Sequence, residues 1–446
     1  MKKLTSFILM VFILTISLNN CLYSQFDKSE YAARRIKLME KIPDGIAIIL
    51  GAQATGSYNR YYQNNDMMYF SGVEIPNAIL VIDGIKKESV LLFTSTENQA
   101  RNEGISFDFV RNPKEFTGIE KVLGYDQFSE YLDERTKDVK KIYTSFFPEE
   151  LIRECTNEKL RHLQRSLTNN EWDTRLTREL QFIEILKEKY SGVKIKDCAQ
   201  MIWDLRIIKS QAEIELLREA GKIGVMAHNT VLKAIKPGMK ENEAAALFEY
   251  ICKKEGAQDL SYYVILSSGE NHPYVHYNKY DRTLKDGDFV VMDAGPDYHY
   301  YDIDITISFP VNGKFTERQK EIYNMSNDMH EACMKVYRPG LTMKQAKIEI
   351  NKILTDQGYD VESKLFKKFR FGYFGHYVGM AVHDVGRSPQ VLKAGMVIAN
   401  EPYAVFPDED LGVRVEDTIL ITEDGCENLT SGIPRTVKQI EEFMKK

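Results

Sequence analysis

Patterns that would indicate several common classes of protein are missing from this sequence. Its six cysteines follow no Cys-x-x-Cys or zinc-ribbon spacing, which excludes a small cysteine-based metal module. Its 13 prolines and 27 glycines form no collagen-like or low-complexity tract. The net charge of −6 gives no indication of the basic face that nucleic-acid binding requires. We therefore expect a folded protein with no nucleic-acid partner.

The length and composition are those of an ordinary globular protein. The chain has 446 residues, of which 43% are hydrophobic and 28% charged, and this length corresponds to two or three domains. Loss of Cys21 with an N-terminal signal would leave five cysteines, an odd number. We expect these to be buried apolar residues and not a disulfide framework.

The N-terminus has the pattern of a secretory signal. Lys2 and Lys3 precede an apolar run at 7–18, and Ser24 provides a small residue for cleavage, so we predict a signal peptide over 1–24. The run is short for a transmembrane helix, and no stable membrane span is expected after its removal. A lipoprotein anchor at Cys21 is the alternative, but Asn20 stands where a small residue is expected. The expected location is secreted or periplasmic.

The segment 25–200 mixes strand and helix patterns and predicts an α/β domain. The predicted strands are 46–50, 78–82, 89–93 and 140–144, and the predicted helices are 30–42, about 148–165 and 170–190. The loop 51–57 has the glycine spacing of a phosphate loop, but Ser57 follows Gly56 where the lysine of such a loop would stand. We therefore predict a plain turn there.

The segment 201–446 contains an internal repeat. Pro237 and Pro339 are 102 residues apart, as are Gly256 and Gly358. Each Pro-Gly pair follows a long helical pattern, and each later glycine is placed to end a second helix. The helical patterns are 213–236 and 316–337, and the strand-like runs that follow are 262–266, 289–293, 397–400 and 417–421. Two equal halves of this kind predict an α+β domain with pseudo-twofold symmetry.

Acidic residues interrupt apolar strands in this second half. Asp302, Asp304 and Thr306 alternate with isoleucines, which predicts that all three lie on one face of one strand. Burying unpaired carboxylates is costly, and two divalent cations would offset that cost. Taken singly, each acid fits a salt bridge or a strand-edge charge better than a metal ligand. The candidate metal ligands are Asp293, Asp304, His376, Glu401 and Glu416.

This set resembles the pita-bread metallopeptidases, which include methionine aminopeptidase, aminopeptidase P, prolidase and the related creatinase. The family's first two acids are eleven residues apart in a D-A-G and D-I-T context, as Asp293 and Asp304 are here. Its G-H-x-x-G and V-H-D motifs match 375–379 and 382–384, and its E-P and G-V-R-V-E-D motifs match 401–402 and 412–417. Its H-Y pair matches His276 and Tyr277, seventeen residues before the first acid.

The resemblance extends to the N-terminal half. Residues 59–66 and 69–72 resemble a segment of the aminopeptidase P N-terminal domain, and 206–214 resembles the linker into the catalytic domain. Methionine aminopeptidases lack that first domain, so the resemblance implies the proline-specific branch. The sequence departs from the family pattern at Gly372, where many members have a histidine, and at Tyr403, where the E-P pair is commonly followed by glycine.

The resemblance also implies roles for the site residues. Asp293 would hold the first metal, Asp304 and Glu416 would bridge two metals, and His376 and Glu401 would complete the second. A water between the metals would ionise near neutral pH, with Glu401 helping to deprotonate it, and the resulting bridging hydroxide would attack the scissile carbonyl. The remaining assigned residues are His276 and His383 as catalytic and substrate-binding groups, Arg414 as a substrate-binding and ligand-orienting group, and Asp417 as a ligand-orienting group. Oxygen-rich ligation favours Mn²⁺, with Zn²⁺, Co²⁺ and Fe²⁺ as alternatives.

The function expected from this resemblance is that of a secreted metallo-aminopeptidase that hydrolyses an N-terminal Xaa-Pro bond. An Xaa-Pro dipeptidase (prolidase) is the alternative. A metal-free binding protein or a creatinase-like C–N hydrolase on the same fold is disfavoured, because all five ligands are retained. The partner is a peptide with proline in second position, and the family implies a homo-oligomer, either a dimer or a tetramer.

Overall fold

A computed structural model describes residues 25–55, 59–151, 171–370, 372–386 and 391–445, with 159–160, 162–163 and 166. The predicted signal peptide lies outside the described residues, as do Gly56, Ser57 and much of the helix predicted at 148–165. The chain forms two compact units. The first is drawn from Met1–Leu151 and Lys159–Ile202, and the second from Trp203–Lys446.

The first unit is built on a six-stranded sheet in the order β4-β3-β2-β1-β5-β6. Its strands are β1 (Gly45–Leu50), β2 (Ile79–Asp83), β3 (Glu88–Leu92), β4 (Lys121–Leu123), β5 (Lys141–Thr144) and β6 (Lys194–Asp197). The central strand β1 is buried along its whole length, because Ile46, Ile48 and Leu50 pack into one core with Tyr131 and Leu186 while the intervening residues are buried too. The four strands predicted here are confirmed to within one residue at each end.

Helices surround this sheet in the first unit. They are α1 (Lys28–Lys41), α2 (Asn65–Ser71), α3 (Glu97–Glu103), α4 (Phe107–Arg111), α5 (Pro113–Thr117), α6 (Phe128–Arg135) and α7 (Arg178–Lys189). The helix predicted at 30–42 is α1, which begins where the Asp27 side chain accepts a hydrogen bond from the Ser29 backbone N–H. Helix α8 (Ala199–Arg206) follows at the boundary between the units.

The second unit repeats a pair of helices, as the 102-residue offset predicts. The helices are α9 (Gln211–Ala234), α10 (Glu241–Lys254), α11 (Glu317–Val336), α12 (Met343–Asp356) and a final α13 (Val437–Phe443). Reciprocal side-chain caps fix the start of α9 at Ser210 and of α11 at Thr316. Gly256 and Gly358, which follow α10 and α12, have φ of 104° and 97° in the left-handed region.

Short antiparallel strands occupy the space between the helices of the second unit. They are β7 (Asp259–Leu260), β8 (Ile265–Ser268), β9 (Phe289–Asp293), β10 (Pro296–Tyr298), β11 (Tyr301–Asp302), β12 (Thr306–Pro310), β13 (Val397–Asn400), β14 (Tyr403–Phe406), β15 (Leu411–Arg414), β16 (Asp417–Ile421) and β17 (Cys426–Asn428). The first copy of the repeat contributes the sheet β12-β9-β8, and the second contributes β13-β16-β17. An isolated bridge between Thr306 and Glu416 connects the two copies.

Two strand predictions in the second unit are wrong. The run predicted at 262–266 is a strand only from Ile265, where it pairs with Asp293. The alternation through 302–307 does not form one strand, because Asp302 belongs to β11 and Thr306 begins β12. The backbone N–H of Asp302 donates to Gly379 O (2.8 Å) and that of Asp304 to the Thr418 hydroxyl (3.0 Å), so the chain leaves the sheet between them.

Two further observations concern the predictions on cysteines and membrane spans. Cys198, Cys252 and Cys333 are buried and Cys426 is partly buried, and these four described cysteines are all free thiols. Among the helices of the described residues, none combines the length and apolar character needed to cross a membrane.

Candidate metal and catalytic site

Strand register brings three of the predicted acidic ligands together. In β12, Thr306 pairs with Asp293 on one side and with Glu416 on the other. The Thr306 hydroxyl also donates to Glu416 Oε2 at 2.6 Å. Because paired residues of neighbouring strands point to the same face, Asp293 and Glu416 are held on the same side of this sheet. Asp304 lies two residues before the start of β12 and completes the group.

His376 and Glu401 reach the same place from the second copy of the repeat. The segment that carries His376 runs beside β13, with Gly375 N–H donating to Ala399 O (3.1 Å) and Ala399 N–H to His376 O (2.9 Å). Glu401 directly follows β13. A Cβ at Gly375 would lie 2.4 Å from Glu401 Oε1, so only glycine permits this approach.

The predicted ligand atoms form two overlapping groups. One oxygen each from Asp293, Asp304 and Glu416 lie within 4.8 Å of one another, and so do one atom each from His376, Glu401 and Glu416. Glu416 is common to both groups. This is the arrangement that a carboxylate bridging two neighbouring cations requires.

We define the carboxylate cluster as Asp293, Asp304, Glu401 and Glu416. These four acids are buried together, so acidic groups are in excess at the site. The members of the cluster are between 0% and 8% exposed. Burial and the neighbouring carboxylates raise the pKa of Glu416 well above its ordinary value. Burial also raises the pKa of Asp293, although the Arg414 guanidinium opposes that effect. Four carboxylates crowded in a low-dielectric setting need more positive charge than Arg414 supplies.

The donor set therefore fits divalent cations. Glu416 Oε1 is buried and has no hydrogen-bond partner among the described residues. An unpartnered carboxylate oxygen in a buried cluster is costly unless a cation coordinates it. Four carboxylates and one imidazole are ligands suited to first-row divalent metals.

The orientation of His376 leaves one nitrogen facing the cluster. Its Nδ1 lies 2.9 Å from Tyr377 O, a distance at which an Nδ1–H donates to the carbonyl. Its Nε2 lies 3.3 Å from Asp304 Oδ2 and 3.7 Å from Glu401 Oε1. Burial lowers the pKa of His376, but the Asp304 and Glu401 carboxylates outweigh that effect and raise it to about 9.

The two remaining predicted histidines are placed differently. The His383 ring centroid is 4.0 Å from that of His376, and one of its nitrogens lies within 4.8 Å of ligand atoms of Asp304 and His376. His276 is exposed, and its backbone carbonyl accepts a hydrogen bond from the Tyr263 hydroxyl at 3.2 Å. The structure thus brings His383 to the cluster and leaves His276 at the surface.

Tyr262 is a site residue that the sequence patterns did not indicate. Its hydroxyl donates to Asp293 Oδ1 at 2.5 Å and is also hydrogen-bonded to Asp304. Burial, followed by the nearby carboxylates, raises its pKa well above the ordinary value, so it remains a neutral donor. Within an apolar run a tyrosine is typical of core packing, and no local pattern distinguishes this one.

Two further predicted residues stabilise the ligand strands. The Arg414 guanidinium is buried and hydrogen-bonded to Asp293, and its Nη1 lies 3.8 Å from Glu416 Oε2. Asp417 faces away from the cluster, where its carboxylate contacts His330 Nε2 (3.1 Å) and the Arg435 guanidinium. Arg435 also donates to the backbone carbonyls of Thr306 and Glu416, both at 2.7 Å.

Comparison with known proteins gives two family matches. Residues 215–423 match the model of metallopeptidase family M24, and residues 31–143 match that of the aminopeptidase P N-terminal domain. The Xaa-Pro aminopeptidase of Escherichia coli is 30% identical over 94% of this chain and 98% of its own. A structure of aminopeptidase P from E. coli with the inhibitor Pro-Leu superimposes with a TM-score of 0.75 at 28% identity, covering 94% and 99% of the two chains. The Xaa-Pro dipeptidase of Pyrococcus furiosus is 35% identical, but over only 57% of this chain and 72% of its own.

Proposed function

The chain belongs to metallopeptidase family M24, with an aminopeptidase P N-terminal domain ahead of a pita-bread catalytic domain, and we propose that it releases N-terminal residues that precede proline. The observation that carries this proposal is the pair of overlapping ligand groups that share Glu416. The fold and family predicted from the sequence are confirmed, and the protein is a hydrolase of the Xaa-Pro metallopeptidase type.

The proposed cofactor is a pair of divalent ions, with manganese as the expected metal. Asp293 would hold one ion and His376 with Glu401 the other, while Asp304 and Glu416 would contact both. The position of Glu416 in both ligand groups supports this division. Bound there, the ions would act as Lewis acids and lower the pKa of a water molecule to near neutrality.

The residues of the chain would then bind the peptide and move its protons. Glu401 Oε1, which lies beside His376, would accept a proton from the attacking water. His383, which also lies beside His376, would donate to the oxygen of the scissile carbonyl as negative charge develops there. The expected role of His276 is to contact the substrate from the exposed segment. The Tyr262 hydroxyl and Arg414 guanidinium would keep Asp293 in one orientation.

The extent of the matches favours an aminopeptidase over a dipeptidase. The E. coli Xaa-Pro aminopeptidase matches nearly the whole chain, whereas the P. furiosus dipeptidase matches 57% of it. The E. coli structure with Pro-Leu concerns an inhibitor that begins with proline. Such a ligand corresponds to the product that remains after an N-terminal residue has been removed from an Xaa-Pro-Leu peptide.

A substrate comparison tests the proposal. The purified protein is stripped of metal, reloaded with Mn²⁺, and incubated with Ala-Pro, Ala-Pro-Leu and Ala-Ala-Leu. We expect release of alanine from Ala-Pro-Leu, slower release from Ala-Pro, and little from Ala-Ala-Leu. Equal cleavage of the last peptide would refute proline preference, and faster cleavage of Ala-Pro than of Ala-Pro-Leu would favour the dipeptidase. A reloading series with Zn²⁺, Co²⁺ and Fe²⁺ identifies the most effective metal.

We further propose export of the mature protein and its association into a dimer or tetramer. The support for export is the basic, apolar and small-residue order of 1–24. N-terminal sequencing of protein isolated outside the cytosol should show that the mature chain begins near residue 25. Finding full-length soluble protein in the cytosol would contradict this location. Light scattering of the purified protein measures its oligomeric state, and a monomer would contradict that part of the proposal.

A further inference from the structure

A buried ion-pair network is centred on Asp384, the residue that follows His383. The Asp384 carboxylate accepts from Arg206 Nη2 at 2.7 Å through one oxygen and from Lys209 Nζ at 2.9 Å through the other. The three side chains are each only 1% exposed. We call these three residues the Asp384 clamp. Arg206 ends α8 and Lys209 lies in the short segment that connects α8 to α9, so both cations are more than 170 residues from their partner in the sequence.

The clamp holds the loop that carries both site histidines. The backbone N–H of Asp384 donates to Tyr377 O at 2.9 Å, which folds 376–384 back on itself and places His383 beside His376. A Cβ at Gly379 would lie 2.1 Å from Asp384 Oδ2 and 2.8 Å from Lys209 Nζ. The loop backbone is therefore packed directly against the ion pair, and a displaced Asp384 would displace the loop.

The strand of the carboxylate ligands is connected to the same loop. Gly379 O accepts a hydrogen bond from the Asp302 N–H at 2.8 Å, two residues before Asp304. The Lys209 N–H in turn donates to Gly395 O at 2.8 Å, close to the start of β13. The clamp thus lies where the segments that carry Asp304, His383 and Glu401 approach one another.

Stability alone does not account for such a network. A buried ion pair is commonly no more stabilising than apolar residues of the same volume, because removing charges from water offsets their attraction. What a desolvated, doubly paired carboxylate does provide is a fixed position for its own backbone. Here that backbone is adjacent to a histidine at the candidate site.

We propose that Arg206 and Lys209 are positioning residues that act through Asp384 to hold His383 against the substrate. This inference rests on the proposed function, because it requires His383 to act on a peptide. Its prediction is that removing the clamp lowers kcat while metal content and substrate binding are retained. A displacement of about 1 Å in a positioned group is expected to lower turnover by roughly 10²-fold.

A double-mutant cycle between Lys209→Met and His383→Ala tests the proposal. Arg206 still neutralises Asp384 in K209M, so this variant is expected to fold. In the wild-type background K209M should lower kcat by about 10- to 100-fold with KM changed less than about threefold. In the H383A background, where kcat has already fallen by roughly 10²–10⁴-fold, the further effect of K209M should be within about twofold, because both changes act on one group.

A distant ion pair provides the matched control. Arg135 and Asp83 in the first unit are as deeply buried, with side chains 2% and 0% exposed and an N–O distance of 2.8 Å. Asp83→Asn (D83N) should lower the free energy of unfolding without changing kcat per folded molecule. An equal loss of kcat from K209M in both backgrounds, or no loss, would overturn the proposal. Loss of bound metal in K209M would also overturn it, since the clamp would then act on the ligands.

A chemical measurement separates this proposal from the proposed function. Acylation of His383 by diethylpyrocarbonate, followed by peptide mass spectrometry, reports how firmly the ring is held without any substrate. We expect faster acylation of His383 in K209M than in the wild type, and an unchanged rate in D83N. If the wild type cleaves no Xaa-Pro peptide with any metal, the proposed function fails, and this rate still decides whether the clamp holds His383. An unchanged rate in K209M would refute the clamp.

Discussion

The two units of the molecule bury charge in opposite ways. In the first unit Arg135 and Asp83 form a balanced pair, with Arg135 Nε 2.9 Å from Asp83 Oδ2 at the end of an apolar sheet. In the second unit the carboxylate cluster contains four acids, and the cationic groups described beside it are the Arg414 guanidinium and the His376 ring, which are fewer than the acids. In a balanced pair each charge is neutralised by its partner, and the pair maintains the fold. An unbalanced cluster is retained at a cost in stability, and this indicates a ligand that supplies the missing charge.

Histidines are also divided unevenly between the two units. Seven of the eight histidines lie in the second unit, and only His162 lies in the first. Burial lowers the pKa of His228 and of His272 to about 4, so both are neutral in the folded protein. These two buried histidines give the second unit a source of acid sensitivity.

The largest expected effect comes from removing the acid shared by both ligand groups. Glu416→Gln (E416Q) should abolish measurable Xaa-Pro hydrolysis and reduce the bound metal, because it removes a bridging carboxylate at almost constant volume. The metal-free form of E416Q should nevertheless be more stable than the metal-free wild type, by on the order of 1 kcal/mol, because the amide avoids the cost of burying a carboxyl group whose pKa is raised by burial and by neighbouring carboxylates. Metal analysis, kcat and urea unfolding on the same preparations measure all three. Full metal occupancy with normal turnover would contradict the site.

Breaking the Arg135–Asp83 pair of the first unit should lower the stability and leave metal content and turnover unchanged. Asp83→Asn leaves the Arg135 guanidinium without its buried counter-charge and should lower the free energy of unfolding by about 3–5 kcal/mol. Metal content and kcat per folded molecule should remain those of the wild type. Urea unfolding, with activity corrected for the folded fraction, measures both. A loss of bound metal would show that the two units are not independent in this respect.

A smaller effect is expected from the tyrosine that touches two ligands. Tyr262→Phe (Y262F) removes one hydroxyl that donates to Asp293 and Asp304 and leaves the ring in place. Metal affinity should fall by about 10- to 100-fold, the range typical of groups that orient ligands. Titration of the metal-free protein with Mn²⁺ measures this change, and Tyr263→Phe on the neighbouring exposed tyrosine is the control. Equal affinities for Y262F and the wild type would show that the hydroxyl does not orient the ligands.

The last prediction is a pH dependence that arises from two buried histidines of the second unit. The folded-state pKa of His228 and His272, about 4, lies below the unfolded value of 6.5, so the unfolded chain binds more protons between these limits. Each histidine should therefore lower the stability by about 1.4 kcal/mol per pH unit as the pH falls from 6.5 towards 4, while the raised pKa values of Asp293 and Glu416 act in the opposite direction. Urea unfolding of the metal-free protein at pH 7 and pH 5 measures the sum of these contributions.

A variant identifies the source of that slope. In the folded protein His272 Nδ1 lies 3.0 Å from the Ser267 hydroxyl, and His272 Nε2 lies 3.0 Å from Phe289 O. These hydrogen bonds are lost when the protein unfolds. His272→Gln should lower the stability at pH 7 and reduce the difference between pH 7 and pH 5. An unchanged difference would assign the acid sensitivity to other groups.

The sequence predicts most of the elements that position the site. The strands at 289–293, 397–400 and 417–421 were predicted with the bounds that the structure has, because each is a short apolar run with a polar residue at one end. The approach of the five candidate ligands was implied by the family resemblance and not by their spacing. Their separation along the chain, from Asp293 to Glu416, is too long for any local pattern to join them.

Other features depend on contacts that local patterns do not contain. The alternation at 302–307 predicts one strand, but hydrogen bonds to Gly379 and Thr418 divide it. Arg206 and Lys209 were noted only as part of a linker, and their pairing with Asp384 crosses more than 170 residues. His276 was expected to face the substrate. It is exposed in the structure, which does not test this role, so the role remains a prediction.

The bridge between Thr306 and Glu416 means that the site is divided between two halves of the chain. Asp293 and Asp304 belong to the first copy of the repeat, and His376, Glu401 and Glu416 belong to the second. Neither copy contains a complete set of ligands, so neither copy folded alone would form the whole centre. If the chain were cut at 312–314, where Asn312 and Lys314 are exposed, the two pieces would have to remain associated for the full set of ligands to stay together.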